Sequence, residues 1–441
     1  MTAVVPELGR QPEIVPPETA ESLLDNGLRV VAVRRSRVPL VELRLRVPFG
    51  SAEPGHSARA WLLAETLLSG VPGHDRMGVA ERIMDLGGTL TAEVDPDQLL
   101  ISGTVLAWYL DDLLALLAEV LTGARYPADE VAAEQARLVS RLTAARSQAS
   151  VRAREALRSH LFGGHAYSQS LPEIEDVRGI DAADLRTMHA RRVVPTGSLL
   201  VLVGDIDPDR TVAACERALS GWRGTPDPVV VLPELPGSVP LGPSLLYHRP
   251  GSVQSSIRIG GPALRRDDPG YAALQLANLI YGGYFSGRMV ENIREDKGYT
   301  YSPRSRIEHG SAGSTLVVEA DVATAVTAPA LLELWYELGR LSTLRPSDEE
   351  LENARQFASG TLAMSVATMA GLATTLVNLA AVGLDLTWVR EHPRRLAEVT
   401  ARAIYDLGVH LLAPKLLVAV VVGDATQCEE PLQAFGPWTV V

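Results

Sequence analysis

Cysteine is nearly absent from this sequence: Cys215 and Cys428 are the only two in 441 residues. Two cysteines cannot make a disulfide framework for a chain this long. The fold must therefore be held by apolar burial, and both thiols read as small buried side chains. No Cys-x-x-Cys pair and no Cys/His metal spacing occurs. Long apolar runs are also missing. No uncharged and wholly apolar run reaches about 18 residues, the length a membrane-spanning helix needs. The start, Met1 to Leu8, lacks the charged and then apolar regions of a secretory leader. Basic charge is in deficit: 41 Lys and Arg stand against 53 Asp and Glu, for a net charge of -12. That argues against nucleic acid or a membrane surface as the main partner and suits walls that favour basic or neutral peptides. The expectation is a cytoplasmic protein. No Gly-x-Ser-x-Gly elbow, phosphate loop or dinucleotide fingerprint is present either.

What is present is an ordinary globular composition, 46% apolar and 21% charged, in a chain long enough for several domains. The chain looks duplicated. Ser198-Leu-Leu-Val-Leu-Val-Gly-Asp205 returns as Lys415-Leu-Leu-Val-Ala-Val-Val-Val-Gly-Asp424. Pro127-Ala-Asp-Glu130 returns at the same offset as Pro346-Ser-Asp-Glu349, and each opens a helical pattern with Pro in the first turn and acids near the helix start. Cys215 and Cys428 occupy matching places. Between the halves, Gly221 to Pro243 is dense in Pro and Gly and reads as a linker. The expected division is 1–220, a linker at 221–243, and 244–441.

Arg29–Arg34 and Val41–Val47 alternate apolar and polar residues, as half-buried antiparallel strands do. The pattern predicts helices over Ala58–Ser69, His74–Leu86, Leu110–Thr122, Ala128–His160 and Ala182–Arg192, and strands over Thr89–Val94 and Gln98–Val105. Strands and helices mix without strict alternation, so the class is α+β.

The segment Gly287-Arg-Met-Val-Glu-Asn-Ile-Arg-Glu-Asp-Lys-Gly-Tyr-Thr-Tyr301 carries the chemistry. It reads as a helix from Ser286, a plausible N-cap, to Lys297. Met289, Val290 and Ile293 form its apolar stripe, and Arg288, Glu291, Asn292 and Glu295 face away from it. Arg294 lies at the edge of the buried face, Gly298 suits a left-handed C′ position, and Tyr301 starts a returning strand. A guanidinium and a phenol together offer donors to a peptide carbonyl, and neither has to lose a proton to do so.

This segment resembles the substrate-clamping Arg/Tyr segment of the inverted-zincin peptidases, the family of pitrilysin, insulysin and mitochondrial processing peptidase. The resemblance extends along almost the whole chain, through Leu24-Asp-Asn-Gly-Leu-Arg-Val30, Leu86-Gly-Gly88, Phe162-Gly-Gly-His-Ala-Tyr167 and Val203-Gly-Asp-Ile-Asp207. It implies two homologous α/β-sandwich halves that together form half of a clamshell. It also implies that Arg294 and Tyr301 bind substrate backbone. Active members carry His-x-x-Glu-His, two zinc ligands and a general base, on an early helix, with a Glu ligand on a later one. The matching helix here is Ala60-Trp-Leu-Leu-Ala-Glu-Thr-Leu-Leu-Ser-Gly70. Trp61 replaces the first His, Ala64 the base, Glu65 the second His, and Arg141 the third ligand. The family's ligand set is gone, so this chain is expected to hold no metal and to be inactive alone. The other histidines do not rebuild a site: His160 and His165 flank Gly163-Gly164, and His56 and His74 read as loop residues.

Bacterial-type members pair a zinc-bearing chain with one carrying the clamp. The resemblance therefore implies a non-catalytic subunit of a processing peptidase, joined as a heterodimer or heterotetramer to a homologous chain that holds zinc, with an extended peptide between them. The alternative is an inert homodimer that binds peptides or acts as a scaffold. The edge strand by which the family captures substrate through β-addition matches Thr89–Val94. The opposite charges of Glu65 and Arg141 further predict a partly buried salt bridge between their helices, where a relative would hold its ion.

Overall fold

The computed structural model describes residues 17–224, 232–240 and 242–441; residues 225–231 and 241 of the expected linker lie outside the described part. Two six-stranded sheets form its frame. The first contains β1 (Thr19–Leu23), β2 (Arg29–Arg34), β3 (Leu40–Pro48), β4 (Thr89–Val94), β5 (Gln98–Leu106) and β6 (Leu199–Gly204), in spatial order β1-β2-β6-β3-β5-β4. The second contains β7 (Ser244–His248), β8 (Gln254–Ala263), β9 (Arg304–Gly310), β10 (Gly313–Ala323), β11 (Val418–Gly423) and β12 (Trp438–Val440), in order β12-β7-β11-β8-β10-β9. The duplication seen in the sequence thus repeats in space. Leu43 of β3 lies between Leu202 and Gly103, and Ile257 of β8 lies between Val421 and Ala320. The halves differ at one edge, where β1 runs antiparallel to β2 but β12 runs parallel to β7.

Each sheet covers a core of its own. Leu200 and Leu202 point into the first core, with Val30, Ala32, Leu43 and Leu45. Ala419 and Val421 point into the second, with Ile257, Ile259, Leu316 and Val318. The alternate residues of β6 and β11 are buried too, which is why these strands read as unbroken apolar runs. Their cover comes from the opposite half.

The cause is a break in each long helical pattern. The helix predicted over Ala128–His160 is two helices, α2 (Ala128–Arg146) and α3 (Ala149–Phe162). Ser147 ends the first, its hydroxyl donating to Ala144 O at 2.7 Å, and Gln148 is extended. In the second half α4 (Asp348–Ser365) gives way to α5 (Met369–Ala380) across a bend of 107°, with Thr368 capping the new start. Pro127 and Pro346 both stand just outside these helices rather than in their first turn; Ser347, with Glu350, forms the capping box of α4.

The bends send α3 across to β8 and β11 and α5 across to β3 and β6. Leu157 and Leu161 of α3 pack with Val317, Val418 and Val420. Leu372, Ala373, Leu376 and Val377 of α5 pack with Val31, Val33, Val201 and Val203. Gly260 makes the first contact possible: a Cβ there would lie 3.0 Å from the δ-carbons of Leu157 and Leu161. The tips of the two edge hairpins also meet. Asp97 accepts from the Tyr167 hydroxyl at 2.5 Å and from Ser311 N and Oγ at 3.1 and 2.6 Å.

The two thiols are buried, each on the helix that follows β6 or β11. Among the described residues no single helix is long and apolar enough to cross a membrane.

Because Leu157 is fully enclosed between the halves, Leu157→Ala should destabilise the protein by about 2–5 kcal/mol. Urea unfolding will check this; a loss under about 1 kcal/mol would mean that the exchanged helix is not part of the stabilising core.

Candidate functional site

The degenerate metal helix, α1 (His56–Thr66), starts after Gly55, whose φ of 68° turns the chain without any side-chain cap. His56 is a buried first-turn residue and not a loop histidine. Its Nε2 lies 2.7 Å from Phe49 O, and burial lowers its pKa to about 4. His165 sits in a loop, where its Nδ1 accepts from Tyr167 N at 3.0 Å and its Nε2 lies 2.9 Å from Pro233 O. Trp61 is half-buried and lines a cavity of about 490 Å³ together with Ser51, Asp95, His165 and Asp176. Ala64 is buried.

Arg141 on α2 reaches across to α1, with its Nη2 2.7 Å from Glu65 Oε1, so the expected bridge forms. It is more open than expected, with the Arg141 side chain 52% and Glu65 33% exposed. The buried carboxylate is Glu134, two turns earlier on the same face of α2, which takes Arg137 at 2.5 Å and Arg141 at 3.4 Å. These residues do not fit zinc. An indole and a methyl group stand at two positions, and a guanidinium at a third repels a cation. Among the described residues no group of three or more His, Cys, Asp or Glu is placed to hold a metal ion.

The clamp segment differs from its sequence reading in four respects. Its helix starts at Arg288 with Gly287, not Ser286, at the N-cap, and no side chain caps it. After one α-turn, Arg288–Val290, it widens into a π-helical stretch, Glu291–Asp296. Arg288 does not face solvent: it is buried and forks onto Glu350 of α4, at 2.5 Å from Nε and 2.8 Å from Nη2. Asn292 is likewise engaged, donating to Glu333 and Glu337. Tyr301 lies in an exposed bend and β9 begins only at Arg304. Thr300 Oγ1, donating to Asp321 O at 2.7 Å, holds that bend against β10. The helix end follows the expectation, with Gly298 at φ 64° and Tyr299 N donating to Ile293 O at 2.8 Å.

The geometry brings Arg294 and Tyr301 together. The guanidinium carbon lies 5.0 Å from the Tyr301 ring centre and 4.8 Å from that of Phe285. Arg294 Nε pairs with Glu295 at 3.1 Å, and its side chain is 28% exposed. Phe285 is a contact the sequence reading missed. The available signal was an aromatic residue inside the Gly282–Gly287 loop, a position with no apolar periodicity to bury it. The other candidate, β4, is an edge strand with much of its length exposed, close to the Trp61 cavity through Val94.

The Peptidase M16 inactive domain matches residues 179–357. Among solved structures, a peptidase M16 inactive domain from Pseudomonas fluorescens superposes with a TM-score of 0.83 at 23% identity, covering 92% of this chain and 98% of that one. A protease from Helicobacter pylori superposes with a TM-score of 0.82 at 14% identity, covering 93% and 100%. Residues 179–357 thus match an M16 inactive domain, and the chain shares the fold of such domains. Its relatives in sequence include an uncharacterized zinc protease of Mycobacterium leprae, 24% identical over 67% of each chain. Another is a non-peptidase homolog of Helicobacter pylori, YmxG, 21% identical over 79% of this chain and 80% of that one. The relatives thus include one named a zinc protease and one named a non-peptidase, and this chain carries Trp61, Ala64, Glu65 and Arg141 at the positions that the resemblance sets against a metal site.

Two outcomes are expected of the protein's ion pairs. Glu65→Gln should cost under about 1 kcal/mol in thermal or urea unfolding, since a half-open pair is screened by water; a loss above about 3 kcal/mol would make the bridge a principal support. For Glu350, burial alone would raise the carboxyl pKa, but the Arg288 fork and the Ser347 contacts lower it to about 2. A depressed carboxylate contributes stability above its ordinary pKa of 4.5 that is lost as pH falls towards 2. Glu350→Gln should therefore flatten the acid limb of a stability–pH curve between those values, and an unchanged limb would contradict the assignment.

Proposed function

We propose that this M16 homologue is the non-catalytic, substrate-binding subunit of a heteromeric zinc peptidase that cleaves peptides or precursor leaders in the cytoplasm. The observation that carries the reading is a joint one. Arg294 and Tyr301 converge at an open surface beside the start of β9, while the same chain's zinc positions hold Trp61, Ala64, Glu65 and Arg141. A clamp without a metal has chemical use only opposite a chain that has one. The partner in this reading is a homologous subunit with an intact His-x-x-Glu-His, and bond cleavage belongs to that subunit.

This chain's own part is to bind and to orient. An extended peptide offers its carbonyl to the Arg294 guanidinium and the Tyr301 hydroxyl. Both are neutral-pH donors, and they gain most when the carbonyl oxygen takes on charge. The exposed β4 edge supplies a second place for peptide backbone to pair.

The test is reconstitution with the homologous zinc-bearing chain. Arg294→Ala and Tyr301→Phe should each leave folding intact and lower turnover of the pair by roughly ten- to a thousandfold, the range for losing one oriented donor. Full turnover in both variants would remove this chain from the reaction.

A further inference from the structure

We infer that Phe285 is a specificity-determining residue of the clamp, and that it selects an apolar side chain on the peptide residue next to the carbonyl held by Arg294 and Tyr301. The inference rests on the reading of this pair as a peptide clamp and adds to it the class of peptide bound.

Phe285 is 64% exposed and Tyr301 82% exposed. Both rings lie within cation–π distance of one guanidinium, so two uncovered aromatic surfaces flank the donor group. Leaving a phenyl ring in water forgoes the stabilisation that burial would bring, and the surrounding loop keeps it there. A Cβ on Gly282 would lie 2.4 Å from Met289 Cε, and one on Gly287 would lie 2.9 Å from Gly282 Cα. Only glycines let the loop fold back this tightly. Gly287 N donates to Tyr284 O at 3.1 Å, and the Tyr284 ring packs against Phe357 at 5.0 Å. Met289, at the loop's far end, is fully buried. The backbone on both sides of Phe285 is thus anchored, and the ring stands out over Arg294 from a fixed base.

A peptide whose carbonyl meets the guanidinium brings its adjacent side chain against these rings. A Leu, Met or Phe side chain loses water there, together with the rings. A Ser or Asp side chain gains nothing, and Asp also faces Glu295, which lies 3.1 Å from Arg294 Nε. One apolar contact of this size discriminates by about tenfold.

The test uses the full chain and fluorescein-labelled extended decapeptides that carry a single Leu or Ser at successive positions, with affinity read by fluorescence anisotropy. The parent protein should bind one Leu peptide about tenfold tighter than its Ser counterpart. Phe285→Ala should bind both at the affinity of the Ser peptide, and Phe285→Trp should restore the preference. Arg294→Ala should weaken both peptides and so reports on the clamp itself. A Leu preference that survives in Phe285→Ala overturns the inference, as does an equal loss for both peptides, which would mark a merely structural role. Absence of binding by the parent protein would overturn the clamp reading and this inference with it.

Discussion

The burial of β6 and β11 on both faces is the constraint on which the rest of the molecule depends. Each strand gives one set of alternate residues to its own core and the other set to a helix from the opposite half. Neither sheet is covered without that exchange, and the exchange exists only because the helical patterns bend at Ser147–Gln148 and again before Met369. The hairpin tips, tied through Asp97, Tyr167 and Ser311, add a polar contact to the apolar one. The two halves are therefore held in one relation, and so are the β4 edge and the Arg294–Tyr301 pair beside β9.

The contact between α1 and α2 is local. Glu65 and Arg141 meet across the two helices, Nη2 to Oε1 at 2.7 Å. Because this pair is half open, the helices do not rely on it. The deeper Glu134 has two arginines, and the packing of Leu62, Leu63 and Leu67 continues without the site.

Much of this was legible in the sequence because it rests on local signals. The repeated apolar strand ending in Gly-Asp, the alternation in β2 and β3 and the left-handed Gly298 all follow from residue type and spacing, whereas the Glu65/Arg141 pair was implied by the family resemblance. What was hidden depends on distant partners. Arg288 looked solvent-facing because Glu350, which neutralises its burial, lies far along the chain. The break between α2 and α3 has no Gly or Pro to announce it, since Ser147 and Gln148 are compatible with a helix, and it is enforced by the waiting surface of β8 and β11. The helix start at Arg288, the widened turn at Glu291–Asp296 and the place of Tyr301 ahead of its strand carry no signal in the local sequence. Phe285 could not be placed at all without the loop around it.

The exchange of α3 and α5 also bears on how the chain is made. Synthesis runs from the N-terminus, and domains commonly fold as they emerge. Here the first sheet leaves the ribosome with Val31, Val33, Val201 and Val203 bare, because their cover, Leu372 to Val377, is translated almost last. Meanwhile α3 is finished early and waits for β8 and β11. The first half thus stands as a half-covered layer with an adhesive apolar face while residues 205 to 371 are made. The vectorial order of synthesis makes that interval the chain's greatest exposure to aggregation and to chaperones, a burden that two self-sufficient halves would not carry.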